Sequence, residues 1–246
     1  MTHERRAMRH TDSWQDSKRR FVVTMVLASL VLAALLCANL CIGSVGMSPA
    51  ELLGALAAGP GASGLEASVI WQIRLPRAVS AAILGGALAC SGFLLQTFFN
   101  NPIASPYILG ISAGAKCALA AVTICVIGAG GALASWQVVG AAFAGSLAAT
   151  ALVLGLSTKI RSMSMLIVAG VMAGYVFNAI TDFLVTFASD QNIVNLHNWA
   201  LGSFSGATWS QVGVEAAVCA AGFAASMALA KPMAAFQLGE GYAKSV

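Results

Sequence analysis

Charge is what this sequence has least of. Asp, Glu, Lys and Arg together are 9% of 246 residues, while hydrophobic residues are 59% and the mean hydropathy is +0.83. A soluble domain carries about a quarter charged residues. So small a charged fraction leaves too little polar surface for a water-soluble fold, and lipid is the solvent that fits. Histidine is scarcer still. His3 and His10 fall in a basic N-terminal segment and His197 lies far from them, so they cannot build one site. The six cysteines (Cys37, Cys41, Cys90, Cys117, Cys125 and Cys219) all lie in apolar stretches. Cys37 and Cys41 are one helical turn apart, but no histidine or further cysteine accompanies them, and they read as small packing residues. No H-E-x-x-H and no G-x-S-x-G occurs, so no catalytic residue and no metal site is read from the sequence. Gly110 to Lys116 comes nearest to a phosphate loop, but it misses the G-x-x-x-x-G-K-[ST] spacing and opens an apolar segment. Any ATP hydrolysis linked to this chain therefore belongs to another one.

Long apolar runs, by contrast, are plentiful. A helix crossing a bilayer needs roughly 20 apolar residues. Six such runs lie at about 21–45, 78–98, 108–128, 134–156, 164–188 and 209–230. They are continuous, without the in–out alternation of outer-membrane strands, so helices are expected rather than a barrel. The fold class is all-α: a polytopic transmembrane helical bundle with about six spans. The first run is too long for the ~7–15 residue core of a signal peptide. No A-x-A site follows it in CIGSVGMSP, so it is read as a retained span.

Basic residues set the orientation. Arg5, Arg6, Arg9, Lys18, Arg19 and Arg20 precede the first run, Lys159 and Arg161 lie between the fourth and fifth, and Lys231 and Lys244 follow the sixth. With the N-terminus cytoplasmic, all of these are inside, and Arg74 and Arg77 are outside. The net charge of +4 thus reports membrane topology, with no nucleic-acid footprint. Residues 1–20 are expected as an unstructured cytoplasmic tail able to touch anionic lipid, and residues 21–246 as the membrane domain. The expected location is the cytoplasmic membrane.

Small residues recur four apart: Gly85 and Ala89, Gly140 and Ala144, Gly145 and Ala149, Gly170 and Gly174. Such pairs let helix backbones approach closely in lipid. In the external loop 46–77, Ser48 and Glu51 form the sequence pattern of a capping box for a short helix, broken at Gly59 to Gly61. Two prolines stop any helix in FNNPIASPY (99–107). Segment 189–208 is too polar to span and suits a short interfacial helix with Trp199 at headgroup level.

Ionisable groups inside spans are default functional candidates. Three occur: Asp182 in the fifth run, Glu215 early in the sixth and Lys116 in the third. Lys116 and Glu215 are near enough to a boundary to reach water by snorkelling. Asp182 is short and cannot; it could serve a proton-coupled carrier or face an aqueous pathway.

At residues 74–114 the pattern becomes specific. Arg74-Leu-Pro-Arg77 precedes Gly86-Ala87-Leu88-Ala89, Ser91-Gly92, Gln96, Asn101-Pro102-Ile103-Ala104, Pro106, Leu109-Gly110 and Ser112-Ala-Gly114-Ala115. Leu166 to Val171, then Trp199 with Gly202, Ser203, Ser205, Gly206 and Trp209, and finally Leu238-Gly239-Glu240 follow in order. This ordered set resembles the permease family of ABC importers for iron–siderophores, haem and vitamin B12, over roughly residues 70–246.

The resemblance implies a transporter subunit, not an enzyme. It implies no cofactor on this chain, with ATP used by partner ABC ATPase subunits. An external substrate-binding protein and a second permease copy or paralogue are the other expected partners. Arg74 and Arg77 would meet carboxylates of the binding protein, a task that suits a bidentate, always-charged guanidinium. Gly239, Glu240, Ala243 and Lys244 would begin the element coupled to the ATPase. Ser162, Met163 and Ser164 would stand at the cytoplasmic gate, although a methionine departs from the small polar residue expected there. Lys116 also departs from the family's small residue. Ten spans are expected in the full family fold, so the chain reads as truncated after the sixth. A proton-coupled secondary carrier using Asp182, or a non-transporting membrane scaffold, remain the alternatives.

Overall fold

The computed structural model describes residues 2–43, 46–61, 64–128, 134–160 and 162–237. Among the described residues every regular element is a helix: α1 (Thr2–Cys41), α2 (Pro49–Ala58), α3 (Leu65–Val69), α4 (Leu75–Phe99), α5 (Ile111–Gly128), α6 (Ser135–Ser157), α7 (Met163–Val185), α8 (Asp190–Leu201), α9 (Trp209–Ala228) and α10 (Ala230–Gln237). Five stretches are long and apolar enough to cross a membrane: Asp16–Cys41, Leu65–Phe99, Trp136–Ser157, Met163–Val185 and Trp209–Ala228. The expected third span is α5. At 18 residues it is shorter than any of these five, about 27 Å at 1.5 Å per residue. The expected polytopic helical bundle is therefore present, with α5 as the shortest of the expected spans. Large apolar side chains such as Phe21, Leu88, Phe143, Val176 and Phe223 are exposed along the helices. In water such a surface would be an association hazard; in lipid it is the ordinary outer face of a span.

One expectation fails at the start of the chain. The basic segment is helical, and α1 runs unbroken from Thr2 through residue 20 into the first span. No proline or glycine lies between Thr2 and Cys41, so nothing in the sequence breaks a helix once the apolar part has formed one.

The chain forms two compact units, Met1–Ala81 with Ser205–Val212, and Ala82–Phe204 with Gly213–Val246. In the first, α2 begins with a complete capping box. The Ser48 Oγ accepts the Glu51 N–H, and the Glu51 carboxylate accepts the Ser48 N–H at 2.7 Å. These bonds hold the Glu51 carboxyl below its ordinary range. A small core of Met47, Leu52, Ala55, Ala67 and Ile70 packs beneath it, with Ile70 fully buried. Ile70–Arg74 is a π turn joining α3 to α4, and the Leu75 N–H bonds to the Ile70 carbonyl. Pro76 follows immediately. Its ring cannot donate and crowds the carbonyl four residues back, so the wider turn accommodates it without ending the helix.

In the second unit, α4 ends at Phe99 and the chain turns through Asn100, which takes a positive φ of 46°. The Asn101 side chain accepts the Ile103 N–H, and the Ser105 Oγ accepts the Ile108 N–H. This is the turn chemistry expected of an N-N-P-x-x-S-P segment. Phe99, Ala104, Leu109, Val153 and Leu166 pack together beside it. The helices α5, α6 and α7 then meet through glycine. A methyl group on Gly114 would lie 2.7 Å from the Gly145 carbonyl oxygen and 2.6 Å from the Ala149 methyl. Gly110 has φ +76°, and a Cβ there would fall 2.8 Å from the Gly174 backbone. Of the small-residue pairs singled out in the sequence, Gly145/Ala149 and Gly170/Gly174 are used in this way. Gly85 and Gly140 face open space.

Candidate functional site

The second unit contains a half-open cavity of about 640 Å³. It is lined from α5 by Ser112 and Lys116, from the preceding turn by Tyr107, from α7 by Gly174, Tyr175 and Asn178, and from α8 by Trp199. Helical spacing explains the set. Ser112 and Lys116 are four apart on α5, as Gly174 and Asn178 are on α7, so each pair presents one face. The room between the helices follows from small residues: Ala113, Ala115 and Gly174 line the cavity as well. Lys116 is half-buried, and it forms no hydrogen bond or ion pair among the described residues. Among the described residues no carboxylate lines the cavity.

Trp199 borders this cavity from the short helix α8, which forms where a short helix was expected. Asn178 was not anticipated. Its only signal is a lone amide within an apolar span, one turn before Asp182.

Arg74 and Arg77 lie in the first unit and reach their own chain. Arg74 is 8% exposed, and its Nη1 donates to the Leu40 carbonyl at 2.5 Å and the Cys41 carbonyl at 3.2 Å. Those are the last residues of α1, whose final carbonyls have no partner within the helix and sit at its negative pole. A guanidinium is the side chain best suited to cap them. The half-buried Arg77 donates from Nη2 to the Ser205 carbonyl at 2.6 Å, while its Nε makes no hydrogen bond among the described residues. Two indoles complete the arrangement: Trp71 Nε1 donates to the Ala55 carbonyl, and Trp209 Nε1 to the Trp71 carbonyl at 2.7 Å. The arginine and tryptophan residues picked out by motif therefore fasten α1, α2 and the segment 205–209 to one helix.

The other expected site residues do not join either group. Ser162 is the N-cap of α7, its hydroxyl accepting the Met165 N–H at 3.5 Å, and Ser162, Met163 and Ser164 are all exposed. Asp182 is exposed on α7 and is not among the cavity residues. Gly239, Glu240, Ala243 and Lys244 lie outside the described residues. No cluster of three or more His, Cys, Asp or Glu able to hold a metal ion occurs among the described residues.

Long apolar helices, several of them drawn together by glycine contacts that flank a cavity in the second unit, define a membrane-spanning helical protein. Comparison makes this specific. The sequence model of the FecCD transport family matches residues 30–246, and the chain belongs to that family. It is 34% identical over 197 residues to the vitamin B12 import system permease protein BtuC of Salmonella paratyphi A, an overlap covering 80% of this chain and 56% of that protein. The protein of the same name from Salmonella newport matches to the same extent. Among solved structures, a metal-chelate type ABC transporter in an inward-facing conformation superimposes with a TM-score of 0.72 at 25% identity. That match covers 88% of this chain and 65% of the other. The chain thus spans little more than half the length of the curated relatives it matches.

Proposed function

We propose that this chain serves as a transmembrane permease subunit of an ATP-driven importer, carrying a bulky metal complex of the iron–siderophore, haem or cobalamin kind across the cytoplasmic membrane. The observation that carries this reading is the family match across residues 30–246, together with a fold shared with a metal-chelate transporter. The relatives named for vitamin B12 import favour a corrinoid within that range. The chain breaks no bonds. Two permease copies, or a copy and a paralogue, enclose a pathway, an external binding protein delivers the cargo, and two ATPase subunits drive alternating access. The basic segment around Arg5 to Arg20 keeps the N-terminus cytoplasmic.

The geometry divides the arginine pair. Arg74 is committed to capping α1, so docking of the binding protein falls mainly to the half-exposed Arg77. In the full-length complex, Arg77→Glu is expected to weaken binding-protein affinity at least tenfold at low salt, with a smaller loss at high salt. Unchanged affinity would remove the docking role. The import reading itself is tested by uptake of radiolabelled cyanocobalamin, ferrichrome and haemin into proteoliposomes holding the permease and its ATPase. ATP-dependent uptake of one of them is expected. Uptake that ignores ATP but collapses with a protonophore would favour a carrier using Asp182. In the same assay, Glu240→Pro is expected to leave ATP hydrolysis intact and abolish uptake, and normal uptake would remove the coupling role of Gly239, Glu240, Ala243 and Lys244.

A further inference from the structure

We infer that Lys116 makes the cavity between α5, α7 and α8 selective for cargo bearing an anionic group, a carboxylate or phosphate on the metal complex. The inference deepens the import reading and rests on it. Four observations carry it. Lys116 is half-buried on a wall of a 640 Å³ cavity. Among the described residues it has no ion pair or hydrogen bond, and no carboxylate lines the cavity with it. The groups beside it (Ser112, Tyr175, Asn178 and the Trp199 indole) are neutral, and most can donate hydrogen bonds. The volume is that of a small-molecule site, large enough for a substantial part of a chelate.

An uncompensated cation inside a helical membrane protein is costly wherever its charge is not met by water or an anion. A half-open polar cavity keeps the ammonium hydrated in the empty state. An arriving carboxylate or phosphate can then exchange that water for a charge-assisted hydrogen bond, in surroundings of lower dielectric than bulk water. A neutral complex of similar size gains no such term and leaves the cation poorly solvated, so the discrimination works in both directions. Lysine fits a pathway better than arginine would. It is a point charge on a flexible stem that holds an anion without a rigid bidentate grip, so the cargo can leave.

The test reads the cavity's field directly and does not depend on transport. Ser112→Cys places a near-isosteric thiol one turn from Lys116, with Cβ atoms roughly 5–6 Å apart. The full-length protein carries this change with its other cysteines replaced, and is reconstituted in phosphatidylcholine. The thiol is labelled with a sulfonate-bearing and a trimethylammonium-bearing methanethiosulfonate. With Lys116 present the sulfonate reagent is favoured. The ratio of the two rates is expected to fall at least about fivefold in Lys116→Met and to recover in Lys116→Arg. Ferric citrate, an anionic complex, is expected to slow labelling more than neutral ferrichrome, and only where residue 116 is cationic. A ratio that Lys116→Met leaves within twofold, or equal protection by the two complexes, would overturn the inference. Protection by added phosphatidylglycerol and not by ferric citrate would also overturn it, assigning the cation to a lipid headgroup. Because labelling needs neither ATP nor a partner, failure of the import reading would leave these ratios unchanged and show only in the uptake assay.

Discussion

In the first unit the ties between distant residues are side chains reaching backbone: Arg74 to Leu40 and Cys41, Arg77 to Ser205, Trp71 to Ala55 and Trp209 to Trp71. In the second unit the closest approaches are backbone to backbone, Gly110 against Gly174 and Gly114 against Gly145. The contrast follows from what each region must satisfy. The first gathers helix ends, whose last carbonyls lack partners and need donors brought to them. The second joins mid-helix surfaces whose hydrogen bonds are already made internally. In lipid there is no hydrophobic drive between such helices, and contact must come from close packing. In the first unit the long-range polar ties therefore fasten loose carbonyls, and in the second Gly110, Gly114, Gly145 and Gly174 mark crossings.

The sharpest way to break that comparison is to add a methyl group at a crossing. Gly110→Ala forces a side chain into a positive-φ position and against the Gly174 backbone, and Gly114→Ala drives one into the Gly145 carbonyl. Neither neighbour is a flexible side-chain tip, so each change is expected to destabilise by about 2–4 kcal/mol. Gly140→Ala, which meets nothing within 4 Å, is expected to change stability in the opposite direction by roughly 0.5–1 kcal/mol through helix propensity. Thermal midpoints of the detergent-solubilised protein measure all three. Equal effects at Gly114 and Gly140 would show that the glycine crossings do not hold the second unit.

Next in size is the arginine cap. Arg74→Met keeps much of the stem's volume, leaves the Leu40 carbonyl without its donor and leaves the Cys41 carbonyl only the Met47 N–H, which is expected to cost about 2 kcal/mol. Hydrogen exchange should localise the loss to the end of α1 and to α2. Arg74→Lys should recover part of it, since an ammonium donates to carbonyls but lacks the planar fork. Trp209→Phe, which removes only the indole N–H bonded to the Trp71 carbonyl, is expected to cost about 1 kcal/mol or less. A larger effect from Trp209 than from Arg74 would reverse the ranking of ties in the first unit.

Local features were legible in the sequence because their causes are local. The capping box at Ser48 and Glu51, the break at Gly59, the turn through Asn101 and Pro102, and the helix at 190–201 each depend on residues within four of one another. What joins distant residues was not. Arg74 and Arg77 stood out by motif, but nothing near them showed that their partners would be carbonyls 33 to 128 residues away. Of the four small-residue pairs, the sequence could not tell Gly145, which meets α5, and Gly170, which meets Leu109 in the turn before it, from Gly85 and Gly140, which face open space. Lys116 read as an anomaly in a span until Tyr175, Asn178 and Trp199 were found around the same cavity. The helical form of residues 2–20 has a simpler cause: charge alone does not end a helix, and no proline or glycine lies between Thr2 and Cys41.

The smallest expected effect concerns the one tie in the first unit that is both local and titratable. The Glu51 carboxylate accepts the Ser48 N–H, and the Ser48 hydroxyl and backbone bonds lower its pKa from the usual 4.5. A lowered folded-state pKa means that its contribution is complete above the unfolded value and is lost as pH falls through the folded one. Amide protection in the first turn of α2, corrected for intrinsic exchange, is therefore expected to be constant above about pH 5 and to decline below about pH 4.5. Glu51→Gln retains an acceptor at the same position without the charge, so it should show weaker protection that does not change over this range. The cap at Arg74 does not involve Glu51, and protection at the end of α1 should stay flat in both proteins. If protection at α1 fell together with that at α2, the capping box would be holding the whole unit, and local caps and long-range ties would not act separately.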